Sequence, residues 1–575
     1  MRGFLFATAA LAAMTPTALN AQSQPDTTKA EVLNEAIVRG VRAQKNAPYA
    51  VANVDRKALQ NFSGTGKELP FLFSTTPGVL SWSENGLGTG TTYMRIRGAG
   101  DSRINVTIDG VPLNSPEDQC VFWANMNSYS SILESVQIQR GVGSSTNGDG
   151  AFGGSVALRT KAPSYDPFVE LNASYGSYNT YNTGFSMSTG LLGKHFVADA
   201  AFHTTGTDGY IHGTAGKSGS WYAGLTWLGR DFIIRYRNIG NYEHTGQAWS
   251  GVTAGTNDLS IMDGTYGKET GIKTYADMYR VGLGRFNSLY ESMDPETYKT
   301  TRYTLNDGSY WPKTTDNFWQ DHNILSAAWD INENLKTTLS LHYTYGYGYY
   351  DEFRFDNKVS KFGFDMVNEK EPVLSDFVRQ KGLDQNAAGF VYNISYNNNG
   401  WDVIGGLSAQ MFWANHFGYL TYVSNSDVVE HYPVLAGLDD TDFDNGRYTY
   451  YDSDAKKNDY SAFVKASKQF GEHFTIFADL QYRRVDYTTD GINDKFVKQE
   501  DGTYKNQSLD IDENYNFFNP KFGFSYKTGK HRAYASVAMS NREPERNNFT
   551  DNYNYPYPKA EHVNDYELGY QYSGS

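Results

Sequence analysis

The chain has 575 residues, a net charge of -14 and one cysteine, Cys120: it is longer than one ordinary soluble domain, too acidic to offer the basic field that nucleic-acid phosphates require, and unable to form an intramolecular disulfide. Its 44 Tyr, 33 Phe and 10 Trp make it 15% aromatic, yet its mean hydropathy is -0.57. Few soluble proteins carry so many rings on so polar an average, whereas a sheet with lipid on one face and water on the other needs that mixture.

In chain order, residues 1–21 read as a secretory signal: Arg2 supplies a positive start, Phe4 to Met14 is an apolar run, Pro16 breaks it, and Ala21-Gln22 is the expected cut. That run is too short to span a bilayer, and no other segment approaches ~18 apolar residues, so any crossing of a membrane must be made by strands. Residues 22–45 read as a flexible segment. Within it Leu33, Asn34, Glu35, Ala36, Ile37, Val38 and Arg39 form a short, mostly apolar stretch, a weak strand with no partner of its own.

Residues 46–163 read as a small α/β unit. Gly66 to Phe73 predicts a short helix closed by Thr76-Pro77-Gly78. Thr91 to Arg97 alternates, with Met94 and Ile96 opposite Arg95 and Arg97. Asn105 to Ile108 repeats the pattern and stops at Asp109-Gly110, a strong turn dipeptide. Ser135 to Gln139 and Ser155 to Leu158 predict two more strands.

From residue 164 to 575 the texture is that of a transmembrane antiparallel β-barrel: alternating segments of roughly ten residues divided by turns and long loops. Val169, Leu171, Ala173 and Tyr175 share one face; so do Trp221, Ala223, Leu225 and Trp227, then Leu339, Leu341 and Tyr343, then Ile476, Ala478, Leu480 and Tyr482. Residues 470–474 and 330–334 predict tight turns, whereas 246–316 and 420–459 predict long loops without periodicity. The last segment, Tyr566 to Tyr572, starts another strand and nothing after it closes a barrel, so the chain is expected to be a fragment whose C-terminal strands are missing.

Motifs for chemistry are weak. Gly148-x-Gly150-x-x-Gly153 precedes a strand instead of opening a helix, which removes it as a dinucleotide site. Gly64-Thr65-Gly66-Lys67 lacks the rest of a phosphate loop. Asp440, Asp442, Asp444 and Gly446 suggest calcium, but the glycine is one place late and position twelve is Tyr451, so a solvated acidic loop is preferred. The eleven histidines have no zinc spacing. No catalytic constellation, resident metal or cofactor is expected.

The plug of a TonB-dependent outer-membrane receptor, of the siderophore and cobalamin type found in Bacteroidetes, is what residues 33–160 resemble. The resemblance is carried by Glu68-Leu69-Pro70-Phe71-Leu72 with Thr76-Pro77-Gly78-Val79, by Arg95-Ile96-Arg97-Gly98, by Val106 to Asn114, by Val121 to Met126, and by Ile138 to Gly148 with Ala151 to Ser155. Downstream, Asp316 to His322, Phe518 to Lys521, Asn541 to Phe549 and Asn564 to Gly569 are similar to landmarks of its barrel. The stretch Glu117-Asp118-Gln119-Cys120 departs from the small polar residues of the family.

The resemblance implies a barrel of ~22 strands, incomplete here, around a plug, with Leu33–Arg39 as the TonB box. That box would add as a strand to a periplasmic partner of a TonB–ExbB–ExbD-type complex. It implies import of a metal chelate, first a ferric siderophore, then cobalamin or haem. Oligosaccharide import ranks lower because residues 22–32 leave no space for an extra domain, and a surface-binding barrel without transport is the other alternative. Ligand contacts are expected from outward plug loops, with Trp82, Arg103, Phe122 and Trp123 as candidates. Arg97 and Arg140 on the plug are expected to pair with Glu543 and Glu567 across the plug–barrel boundary.

Overall fold

The computed structural model describes the chain except residues 1–35, 45, 146–149, 251–273, 295, 365–370, 430–446, 503, 552–556 and 575. The signal segment, Leu33 to Glu35 of the box and the acidic Asp440–Gly446 loop therefore lie outside the described residues.

Two β systems organise the rest. The first is a mixed five-stranded sheet of β1 (Ala50–Val54), β4 (Ile104–Ile108), β5 (Val111–Pro112), β6 (Leu133–Arg140) and β7 (Gly154–Thr160), ordered β1-β6-β7-β4-β5 with β4 and β7 parallel. A hairpin of β2 (Val79–Ser83) and β3 (Thr92–Ile96) stands beside it. Helix α1 (Arg56–Ser63) begins where the Asp55 carboxylate accepts the Ala58 N–H at 2.9 Å. Helix α2 (Leu69–Phe73) has Pro70 in its first turn, where a missing N–H costs nothing. Met94, Ile96, Val106, Ile108, Val136, Ile138, Val156 and Leu158 form the buried core between these elements.

The second system is a 14-stranded antiparallel wall: β8 (Pro167–Tyr175), β9 (Tyr181–Thr189), β10 (Phe196–Thr207), β11 (Gly216–Leu228), β12 (Phe232–Gly246), β15 (Thr315–Asn332), β16 (Leu335–Lys358), β17 (Leu374–Asn398), β18 (Trp401–Val423), β19 (Tyr448–Phe470), β20 (Phe474–Lys498), β21 (Tyr504–Thr528), β22 (His531–Arg542) and β23 (Glu561–Tyr572). Its edges are β8 and β23. Each strand pairs with its sequence neighbour, except where β12 pairs with β15 across a long loop that carries a separate hairpin, β13 (Glu291–Met293) with β14 (Thr300–Arg302).

The alternation read from the sequence takes the inverse of the soluble pattern. Leu171, Leu225, Leu341, Ile476 and Tyr482 are exposed on the outside, while Thr226, Ser340, His342, Asp479 and Gln481 are buried on the inner face. A soluble sandwich turns its apolar face inward; here the apolar face is outward, as lipid requires. Among the described residues no helix is long and apolar enough to cross a membrane.

Two expectations need correction. Residues 448–459 belong to β19 and 420–423 to β18, so the expected 420–459 loop is shorter; the strands run on past the stretch where outward apolar residues mark them. The flexible segment is also not free where it is described. Ala36, Ile37, Val38 and Val41 are buried, Ala36 in helical and the others in turn conformation, none in a strand.

Candidate functional site: the plug apex and its barrel contacts

The two ends of the wall differ. Short turns, such as those between Asn398 and Trp401 or between Phe470 and Phe474, lie at one end, and every long connection lies at the other.

At the short-turn end the N-terminal segment is strapped into the lumen. The Arg39 guanidinium meets Asp402 at 2.7 Å, Lys465 Nζ donates to the Gly40 carbonyl at 2.7 Å, and Ser525 Oγ donates to the Asn46 carbonyl at 2.7 Å. Ile37 packs among Val197, Leu228, Ile233 and Ala328. Residues 36–46, where described, are therefore held by one partly exposed ion pair, carbonyl contacts and apolar packing.

The middle of the plug is tied by buried charge. Asp109 and Gly110 both have positive φ, +47° and +83°, as the tight β4–β5 turn requires. The Asp109 carboxylate accepts the Thr160 N–H at 3.0 Å and its hydroxyl at 2.6 Å, and it pairs with Arg237 of β12. Burial would raise its pKa, but Arg237, Arg235 and the Thr160 bonds outweigh that and hold it below the usual carboxylate value. Ser145 donates from its N–H and its hydroxyl to Asp479 of β20, both at 2.6 Å. The glycines near this point permit close approach: a Cβ on Gly154 would sit 2.6 Å from the Gln139 carbonyl oxygen.

Toward the long-loop end, the loop 114–120 docks into the wall. Glu117 is buried and accepts from His416 Nε2 at 2.7 Å, the Tyr487 hydroxyl at 2.7 Å and Arg546 Nη1 at 3.3 Å. Burial pushes its pKa up, yet His416 and Arg546 prevail and bring it down to about 2. Gln119 donates to the Glu543 and Pro544 carbonyls, each at 3.1 Å, and accepts from Arg542. The stretch Glu117–Gln119 is thus a docking element.

Above this loop, between plug and wall, lies a cavity of about 480 Å³. Its plug side includes Asp118, Cys120, Val121, Phe122 and Met126; its wall side includes Glu243, Asp316, Phe318, Tyr349, Tyr350, Arg379, Lys381 and Tyr451.

Of the four candidate ligand residues, Phe122 lines this cavity and is 49% exposed. Trp123 is 2% exposed and packs edge-on against Phe73 at 5.8 Å, so it is plug core, because its 3-10 turn points the indole inward. Trp82 stacks on Tyr93 at 5.4 Å in the β2–β3 hairpin, outside the cavity lining. Arg103 is an ion-pair residue, meeting Glu561 and, at 3.8 Å, Glu545.

Of the four charges expected at the boundary, Arg97 meets Glu567 at 2.9 Å. Arg140 instead donates to the Pro77 carbonyl at 2.8 Å, within the plug. Glu543 is taken by two barrel cations, Lys457 at 2.6 Å and Arg483 at 2.7 Å. The pairs that sequence reasoning missed, Asp109–Arg237 and Glu117–His416, sat in a turn dipeptide and in a departure from the family. The only signal for their partners was position on the polar face of a strand.

Residues 43–155 match the family described as TonB-dependent Receptor Plug Domain, and residues 265–575 match TonB dependent receptor-like, beta-barrel. The Ferrioxamine B receptor of Salmonella typhimurium strain SL1344 is 25% identical over 212 residues, 34% of this chain and 28% of that protein. The chain therefore spans well under half of that relative. The ferric-catecholate import receptor Fiu of E. coli K12, in its open form, superposes with a TM-score of 0.61 at 13% identity, over 92% of this chain and 72% of Fiu. The siderophore receptor PiuA of Acinetobacter baumannii gives 0.62 at 13%, over 96% and 72%. At such identities these structures speak for the fold alone.

Proposed function

Because the chain belongs to the TonB-dependent receptors, a family of transport receptors and not of enzymes, we propose that it imports a ferric siderophore-type chelate across an outer membrane. The observation that carries this reading is the arrangement of its two ends. A cavity of about 480 Å³ opens among the long loops, the plug fills the lumen beneath it, and part of the TonB box is strapped at the opposite mouth. A chelate of siderophore size fits a site of that volume with aromatic and charged walls. The names of similar proteins, receptors for ferrioxamine B and ferric catecholates among them, support the same cargo. The apolar outer face supports residence in lipid.

In this mechanism ligand seats between Phe122 and the wall, the signal passes through the docked 114–120 loop and the plug sheet, and Ala36–Arg39 leaves its strap. An outer membrane holds no ATP, so the work comes from a TonB–ExbB–ExbD-type partner that pairs with the freed strand and pulls the plug. The test is growth of a deletion strain under iron limitation on defined ferric chelates. Restoring the gene should restore growth on at least one chelate, and a copy lacking residues 33–39 should not. Uptake that persists without those residues would remove the energised mechanism.

A further inference from the structure

The cavity carries charges of both signs, but they are not equally answered. Each lysine and arginine on its wall already has a carboxylate: Arg379 meets Glu352 at 2.6 Å, Lys381 meets Asp494 at 2.9 Å, Lys495 meets Asp551 at 3.2 Å, and Arg546 shares Glu117 with His416. On the β12–β15 side the reverse holds. Glu243 is 5% exposed and accepts a hydrogen bond from the Thr245 hydroxyl at 3.1 Å. Asp316 is its diagonal neighbour, since Thr245 pairs with Asp316 across the two strands. Among the described residues no Lys, Arg or His makes an ion pair with either carboxylate.

The plug adds two more carboxyl groups beside this wall. Glu68, which stands near enough to Glu243 to bear on its ionisation, is 1% exposed, and no described residue completes a well-formed hydrogen bond to either carboxylate oxygen. Glu84, near Asp316, accepts the Tyr93 hydroxyl at 2.6 Å and the Ala248 N–H at 2.8 Å. Buried carboxylates without a counter-charge repel one another and are costly to ionise. A cation delivered to this wall from outside relieves that cost.

A bare metal ion is the poorer occupant, because among the described residues no three His, Cys, Asp or Glu side chains converge as ligands. An ammonium needs only one or two carboxylates and tolerates the aromatic faces of Phe318 and Tyr349 beside it. We propose that Glu243 and Asp316 form a subsite for an organic ammonium group carried by the imported ligand. This rests on the reading of the cavity as the ligand site.

The test compares two ferric trihydroxamate chelates that differ in one place, a terminal primary amine against its N-acetyl derivative. Binding to the purified receptor is measured by calorimetry. The wild type should prefer the amine by roughly tenfold. Glu243→Gln and Asp316→Asn should each shrink that ratio, and the double substitution should bring it close to one. Equal binding of both chelates by the wild type overturns the proposal without any variant, as does a preference that survives the double substitution. A wild type that binds neither chelate removes the ligand-site reading and the proposal with it.

Discussion

The Asp109–Arg237 pair offers the sharpest test of how the plug is held. Its side chains are 2% and 0% exposed, and the carboxylate also holds the Thr160 N–H and hydroxyl. Asp109→Asn keeps a residue that tolerates positive φ at this turn, so the backbone is spared and the charge alone is lost. Arg237 is then a buried cation whose remaining described partner is the Ser326 hydroxyl. Stranding a charge of this kind costs about 3–5 kcal/mol, which is roughly a hundredfold to a few thousandfold in an opening equilibrium. Hydrogen exchange of the β4 and β7 amides in the assembled receptor should accelerate by that factor. Arg237→Gln added to Asp109→Asn should recover much of the loss, since two neutral amides replace one stranded cation. The pH dependence carries a definite sign. Because the folded pKa of Asp109 is depressed, its contribution is present above the ordinary carboxylate range and disappears as pH falls through the lower, folded value. Unchanged exchange in Asp109→Asn, or a double variant that costs the sum of the two singles, would refute the idea that this pair anchors the plug.

Other outcomes follow from the same geometry. Glu117, held down to about 2, should lose its docking contribution as pH falls from its ordinary value near 4.5 toward 2, and Glu117→Gln should remove that pH dependence from the proteolysis of loop 114–120. Glu68 behaves oppositely: burial raises its pKa to about 8, so it destabilises the plug increasingly as pH rises from its ordinary value to 8. Glu68→Gln should therefore stabilise the plug at pH 8 by on the order of a few kcal/mol, read from chemical unfolding, and change nothing at pH 4. Asp402→Asn breaks a half-exposed pair worth at most about 1 kcal/mol, so trypsin should cut at Arg39 or Arg42 a few times faster while the barrel's unfolding midpoint stays put. Leu341→Arg, on the outward face, should lower barrel stability by about 2–4 kcal/mol if it sits at mid-bilayer, measured by reversible folding into lipid vesicles.

What the sequence by itself determines is periodic or local. The two-residue alternation of Leu339 to Tyr343 or Ile476 to Tyr482 tells which side chains share a face, the Asp109-Gly110 dipeptide marks a turn, and ordered glycine and arginine motifs identify plug and barrel. These signals are read over a few residues, where backbone geometry alone decides side-chain direction. Tertiary structure decides the partners. Asp109 is 128 residues from Arg237 and Glu117 is 299 from His416, and nothing local says that two polar faces so far apart will be pressed together. For the same reason Trp123, beside the exposed Phe122, could be placed in the core only by the turn that carries it. Glu543 belongs to the barrel's own cations because Lys457 and Arg483, on neighbouring strands, reach it first. Burial then converts such pairings into energy, since a charge that would be indifferent in water must find its counterpart once the lumen has excluded it.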